Sequence, residues 1–246
     1  MKDKINGQHY RRTKSMPCIF CGNTSPSKII DVSYGMQVSI AHCPNCNFEY
    51  QSPQPSYKAT EAYRNWRWDH GEDMVIVSPW WQLKNAGDHL DLIKPFINTE
   101  MNILDFGAGS GAFVAVAMEK GLNIVGYDRS EGARKAALKL HNIELEGVLT
   151  PGPFDCITLW DRVEKFKNPE KSLMNIRKHL KAPGRIFIEA SNLNYCDGDQ
   201  WGLYCFDRQF YYTPYSLEDM VSSLGFTNYE VLSDDRMFVA TCEWRG

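Results

Sequence analysis

The stretch Ile103-Leu-Asp-Phe-Gly-Ala-Gly-Ser-Gly-Ala-Phe-Val114, followed by Gly126-Tyr-Asp128, decides how this chain is read. Residues 101–106 form an apolar, strand-like run. Gly107, Gly109 and Gly111 then allow a tight turn and a close backbone approach to a ligand, where a Cβ would collide. Ala112 to Lys120 is helical and stops at Gly121, with the amides of its first turn facing whatever the glycines hold. Asn123 to Asp128 is a second strand. It ends on a carboxylate 23 residues beyond Asp105, close to the spacing of about 20 at which an acid accepts hydrogen bonds from a ribose diol. Strand, glycine turn, helix, strand and acid, in that order, predict a nucleotide-cofactor site.

Two cofactor classes fit the glycines. Gly107-x-Gly109-x-x-Ala112 satisfies the dinucleotide fingerprint of NAD-dependent enzymes. Asp105-Phe-Gly107-Ala-Gly109-Ser-Gly111 resembles the first motif of class I S-adenosylmethionine-dependent methyltransferases, Asp-x-Gly-x-Gly-x-Gly. Asp105 would then lie near the cofactor's amino-acid end, where a carboxylate suits a cation better than a pyrophosphate. The resemblance continues over most of residues 100–243, to the broad bacterial group that includes small-molecule and sugar-modifying enzymes. It is carried by Gly126-Tyr-Asp-Arg-Ser-Glu-Gly-Ala133, Phe154-Asp-Cys-Ile-Thr-Leu-Trp-Asp161, Val163-Glu-Lys-Phe-Lys-Asn-Pro169, Leu180-Lys-Ala-Pro-Gly-Arg-Ile-Phe-Ile188, Tyr211-Tyr-Thr-Pro-Tyr-Ser-Leu217 and Leu224-Gly-Phe226. It implies cofactor contacts from Asp105, Gly107, Ala108, Gly109, Gly111, Asp128, Arg129 and Trp160. The chain departs from the pattern twice. Lys165 stands where a histidine is common, and an ordinary lysine is protonated at neutral pH. Gly147-Val-Leu-Thr-Pro-Gly-Pro153 is too short for the usual crossover helix, so adenine recognition there is expected to be atypical.

Ser78-Pro79 reads as an N-cap and first helical residue of a helix through about Phe96, Ser130 as the cap of a helix to about His141, and Asn168-Pro169 as the start of another. Thr227 to Ser233 and Met237 to Glu243 are strand-like around Asp234-Asp235, a terminal hairpin. The expected fold is α/β, a doubly wound, seven-stranded Rossmann-like methyltransferase sheet with a small N-terminal zinc-ribbon module. The expected divisions are residues 1–55 for the module, 56–98 for a helical linker or lid, and 99–246 for the methyltransferase domain.

Cys18-Ile-Phe-Cys21 and Cys43-Pro-Asn-Cys46 are two knuckles separated by 21 residues, a zinc-ribbon spacing. Four thiolates would give Zn²⁺ a closed, structural site; iron and a disulfide pair are the alternatives. The polar start Met1-Lys-Asp-Lys reads as no signal peptide, consistent with a reducing cytoplasm. Cys156, Cys196, Cys205 and Cys242 are scattered and read as packing residues.

The 246 residues carry a formal charge of −3. Residues 1–60 hold seven Lys/Arg against three Asp/Glu, and four zinc-bound thiolates would remove about half of that excess, too little to drive tight nucleic-acid binding. No apolar run approaches the roughly 18 residues of a membrane span. Four of the seven tryptophans, Trp66, Trp68, Trp80 and Trp81, fall with Tyr63, Arg64, Arg67 and His70 in one stretch. It reads either as a lid or as packing between module and sheet.

Methyl transfer needs alignment more than side-chain chemistry, because the sulfonium donor is already activated. Acceptor contacts are expected beyond the carboxyl ends of the strands, from Trp160, Asp161 and Glu164 and from Glu189, Ser191 and Asn192. Tyr195, Trp201, Tyr211 and Tyr212 are expected pocket walls, and Glu189, Tyr211 and Glu164 the catalytic candidates. The resemblance implies a small-molecule acceptor, with a sugar or nucleotide-linked sugar favoured. An RNA-modifying enzyme using the zinc module, and a non-catalytic zinc-dependent binding protein, are the alternatives.

Overall fold

Apolar runs broken by glycine and proline fold into two sheets. The computed structural model describes residues 16–33, 37–70, 78–195 and 205–246. The smaller sheet contains β1 (Ser27–Ser33), β2 (Gln37–His42), β3 (Glu49–Gln51) and β8 (Phe210–Tyr211), paired antiparallel in that order. The larger contains β4 (Asn102–Phe106), β5 (Asn123–Tyr127), β6 (Phe154–Leu159), β7 (Leu180–Ser191), β9 (Thr227–Asp234) and β10 (Met237–Trp244), in the order β5-β4-β6-β7-β10-β9. Its first four strands are parallel, and β10 runs antiparallel to both β7 and β9. The helices are α1 (Tyr57–His70), α2 (Pro79–Ile93), α3 (Ala112–Glu119), α4 (Glu131–His141), α5 (Pro169–Arg177) and α6 (Pro214–Ser223). None of the described helices is long and apolar enough to cross a membrane.

The larger sheet has six strands where the sequence predicts seven. Between α4 and β6 the chain makes one parallel bridge, Tyr127 to Glu146, held by Asp128 N to Glu146 O at 3.0 Å and Glu146 N to Gly126 O at 2.8 Å. A longer parallel ladder would set residues 142–145 against β5, but Asn142 N and Ile143 N close α4 on Leu138 O and Ala137 O, so the ladder does not extend. Leu180–Ser191 is one strand rather than a Pro-Gly turn followed by a strand. Its pairing jumps from Phe154–Leu180 to Cys156–Arg185, and Lys181 to Gly184 bulge out of register. Pro79 opens α2 as expected, but the Ser78 side chain makes no capping bond. Ser130, Asn168 and Thr213 do cap their helices, accepting from Ala133 N, Lys171 N and Ser216 N.

Side chains alternate across the large sheet. Ile103, Cys156 and Phe187 face α2 and α3, whereas Leu104, Ile157 and Ile188 face α5 and α6. The second of these cores continues into the smaller sheet through Cys18, Cys43, Phe48 and Tyr50, which pack with Phe210 and Tyr212. The β3–β8 ladder has only two residue pairs, and a hydrogen bond contributes about 1 kcal/mol net. Burying an aromatic or aliphatic side chain contributes about 1.5–3 kcal/mol. The ring contacts of Phe48 with Phe210 at 6.2 Å and with Tyr212 at 5.6 Å therefore outweigh the ladder in joining the amino-terminal strands to the later segment that supplies β8.

Candidate cofactor and acceptor site

The glycine turn is fixed from below by β5. Gly107 N and Ala108 N both donate to Tyr127 O, at 2.7 and 2.9 Å. Gly107 and Gly109 adopt φ of +83° and +58°, the left-handed region that a side chain disfavours. The turn presents Gly109 N to the Asp128 carboxylate at 3.0 Å, and Ser130 N reaches the other oxygen at 2.8 Å. Asp105 lies below the turn, 1 % exposed, accepting from Thr158 Oγ1 at 2.9 Å. Burial raises its carboxyl to about 7, against the opposing pull of the Thr158 hydrogen bond and of Arg162.

These groups line a cavity of about 1000 Å³ at the carboxyl ends of β4, β5, β6 and β7, where doubly wound sheets hold ligands. Helix α1 roofs it. The Trp68 ring lies over Gly109 and against Gly132, where a Cβ would come within 2.8 Å of its side chain. Glu61 pairs with Arg129 at 2.9 Å, and the Arg129 guanidinium sits 4.8 Å from the Tyr57 ring centre. On the opposite wall Trp160 stacks on His89 at 4.1 Å with 3° between planes, and Phe113 tilts against Trp160 at 5.0 Å. His89 Nε2 is 2.7 Å from Glu189 Oε1. The Trp160 indole N–H is buried with no acceptor among the described residues, a donor that a cofactor carboxylate would satisfy.

A third wall is charged. Lys165 Nζ donates to Asp161 at 2.6 Å, Arg208 to Asp161 at 2.8 Å, and Arg64 to Asp207 at 3.4 Å. Burial alone would raise Asp161, but Lys165 and Arg208 overcome it and hold the carboxyl well below the usual range. The Lys165 side chain is thus held against a carboxylate rather than free in the cavity.

Of the residues the sequence points to, Asp105, Gly107, Ala108, Gly109, Asp128, Arg129, Trp160 and Glu189 line the cavity. Gly111 does not; it lets α3 start against α4, with Ala137 and Ile143 within 3.3 Å of where its Cβ would stand. Glu164 does not reach the cavity either. It is fully buried, accepts Ser191 N at 2.9 Å and faces Arg208 at 3.4 Å, with burial raising its carboxyl to about 7 against the pull of Arg208. Tyr211 and Tyr212 are core residues with no exposed surface, and Tyr195 is exposed outside the cavity. Asn192 is engaged by Asp234 at 2.5 Å. Trp201 and Cys196 lie outside the described residues. Trp68 and Trp81 face the cavity, Trp66 does not line it, and Trp80 is turned to solvent.

Several residues of the site went unmarked in the sequence, Arg162 and His89 foremost. Arg162 closes on the glycine turn, Nε donating to Gly107 O at 2.7 Å and Nη2 to Asp128 at 2.6 Å. His89 shares the buried stripe of α2 with Ala86, Leu90 and Ile93. The helical period marks its burial but does not identify its partner.

In the smaller sheet, the Sγ atoms of Cys18, Cys21, Cys43 and Cys46 lie within 4.8 Å of one another. The pairs Cys18–Cys46 at 3.5 Å and Cys21–Cys43 at 3.4 Å are too long for a disulfide bond of about 2.05 Å. They suit thiolates sharing one ion at about 2.3 Å. Gly22 and Asn47, at φ of +70° and +56°, close the two knuckles.

A parallel core ending in a reversed hairpin, with a glycine turn and a ribose-type carboxylate at its carboxyl edge, defines the α/β methyltransferase fold. The chain belongs to the methyltransferase-domain family, whose model matches residues 82–231. It is 27 % identical over 152 residues to the ubiquinone biosynthesis O-methyltransferase of Pseudomonas aeruginosa, covering 51 % of this chain and 65 % of that protein. The enzyme of that name from Idiomarina loihiensis is 27 % identical over 143 residues, covering 49 % and 58 %. The chain therefore spans less than two thirds of the length of these curated relatives. Among solved structures, it superposes on the Burkholderia thailandensis 1,6-didemethyltoxoflavin-N1-methyltransferase with bound S-adenosylhomocysteine, at TM-score 0.59 and 16 % identity, over 87 % of this chain and 99 % of that one. An S-adenosylmethionine-dependent methyltransferase from Archaeoglobus fulgidus gives TM-score 0.57 at 14 % identity, over 66 % and 94 %.

Proposed function

We propose that this chain binds S-adenosylmethionine in the cavity and transfers its methyl group to a polar small molecule, with a sugar or nucleotide-linked sugar as the favoured acceptor. The observation that carries the reading is the pair of buried carboxylates at the turn. Asp105, ionising near neutrality, suits an ammonium group and would repel a dinucleotide pyrophosphate. Asp128, held by Gly109 N and Ser130 N, suits a ribose diol. When bound, the cofactor supplies a methyl group already activated by a sulfonium. The chain's own task is to orient it, with Trp160 and Asp105 at the amino-acid end and Trp68 excluding water from above. Arg64, Lys165, Asp161 and Asp207 along one wall favour a polar acceptor over an apolar one, and the Pseudomonas relative is named for methylation on oxygen. The four cysteines are proposed to hold a structural Zn²⁺.

The test is calorimetric titration of the zinc-loaded protein with S-adenosylmethionine and, in parallel, NAD. Micromolar binding of the first with no signal from the second is expected. Binding of NAD alone would overturn the proposal.

A further inference from the structure

The His89–Glu189 pair has features that a merely satisfied core histidine would lack. Both side chains are under a tenth exposed, and both line the cavity. Glu189 accepts at Nε2, so the ring proton belongs on Nε2 and the Nδ1 lone pair is left bare. The bond to Glu189 is the one side-chain hydrogen bond of His89 among the described residues, and it leaves Nδ1 unused on a ring that lines the cavity. Parallel stacking on Trp160, itself braced by Phe113, fixes the ring's tilt. The titratable groups facing His89 are Glu189 from β7 and Asp105 from β4. The unit is a carboxylate, an imidazole in a fixed tautomer, and a free nitrogen in a cavity, which is the arrangement of a base that a second residue orients.

We infer that His89 is the general base of this site, acting through Nδ1 on an alcohol or phenol hydroxyl, with Glu189 as its positioning residue, so that the acceptor atom is oxygen and the product a methyl ether. The inference rests on the methyltransferase reading above. Nδ1 takes the hydroxyl proton as the acceptor oxygen forms its bond to the donor methyl. The carbon–sulfur bond breaks with its electron pair left on sulfur, and the imidazolium, stabilised by Glu189, later releases the proton to solvent. Amine and thiol acceptors have less need of such a base, because an amine carries its own lone pair and a thiol ionises more readily.

The experiment compares wild type, His89→Gln and Glu189→Gln in three readouts. Calorimetry with S-adenosylmethionine is expected to give affinities within twofold of one another. A tenfold loss in His89→Gln would place the ring on the cofactor instead and overturn the inference, whereas absence of binding in wild type would sink the cofactor reading itself. Nitrogen-15 spectra of the histidine rings are expected to show His89 protonated at Nε2 and bare at Nδ1, and the opposite tautomer overturns the inference. With catechol as the hydroxyl probe, His89→Gln is expected to lower kcat by about 100-fold or more. The acidic limb of the pH profile should vanish while KM holds, and Glu189→Gln should shift that limb to lower pH. An unchanged catechol rate in His89→Gln refutes the inference.

Discussion

Arg162 donates to Asp128 across 2.6 Å, from the turn after β6 to the carboxylate at the end of β5. The arginine therefore occupies the acid on which a ribose diol is expected to settle. Removing it from the apo protein leaves a carboxylate that is 5 % exposed without its counter-ion, a costly state. A bound ribose would supply the missing donors. Arg162→Met is expected to lower the apo melting temperature and to tighten S-adenosylmethionine binding several-fold, because the cofactor no longer displaces the guanidinium. Weaker binding in the variant would show instead that Arg162 grips the cofactor.

The raised carboxyl of Asp105 sets a pH dependence. Its folded value of about 7 exceeds the ordinary 3.8, so between those values the folded protein holds more protons than the unfolded chain. Stability from this group is present at low pH and lost as pH rises toward 7. Cofactor binding has the opposite trend, since a cationic amino-acid end selects the ionised form. Affinity for S-adenosylmethionine should climb from pH 6 to 8 with proton release on binding, measured by calorimetry in buffers of different ionisation enthalpy. Asp105→Asn should abolish the proton release.

The metal prediction rests on shared packing. Cys18 and Cys43 are buried in the same core as Phe48, Phe210 and Tyr212. One zinc per chain is expected by elemental analysis. Chelation, or Cys43→Ser, should lower the melting temperature of the whole chain in one transition rather than release a separate module. Two well-separated transitions would contradict this.

Trp68 tests whether α1 is a working cover. Trp68→Ala removes the ring over Gly109 without touching the large-sheet core. Stacking on a bound cofactor is worth about 0.5–1.5 kcal/mol beyond area, so S-adenosylmethionine should bind about two- to twelvefold more weakly, chiefly through faster dissociation in stopped flow. An unchanged dissociation rate would make Trp68 a packing residue.

Glu164 separates support from chemistry. Its carboxyl meets Ser191 N and Arg208 out of reach of the cavity. Glu164→Gln keeps an acceptor for Ser191 N and should retain turnover. Glu164→Ala leaves Ser191 N without its acceptor and Arg208 to Asp161, and should cost about 1–3 kcal/mol by chemical denaturation.

Local signals were legible in the sequence. The glycine turn, the acid ending the second strand, the caps at Ser130 and Asn168 and the two cysteine knuckles all depend on residues a few positions apart. What escaped depends on distance along the chain. The β3–β8 pairing joins Glu49 to Tyr211, and neither short strand advertises the other. Tyr211 and Tyr212 looked like pocket walls because aromatics in a long loop resemble a binding surface, yet the small sheet absorbs them. His89 was hidden because the residue that gives it meaning, Glu189, stands 100 positions away. The missing seventh strand follows from the end of α4, where Asn142 and Ile143 give to the helix the donors that a longer ladder along β5 would need.

The β3–β8 seam also bears on how such a protein can be recombined. Cutting after residue 55 looks like a natural crossover point, but it would orphan Phe210 and Tyr211 in one parent and Glu49 and Tyr50 in the other. Asp207 and Gln209, just before β8, lie in the cavity wall, so a transplanted ribbon would arrive without the edge that shapes this wall. A chimaera that exchanges this amino-terminal ribbon must carry residues 205–213 with it, and the two segments are expected to be inherited as a single unit.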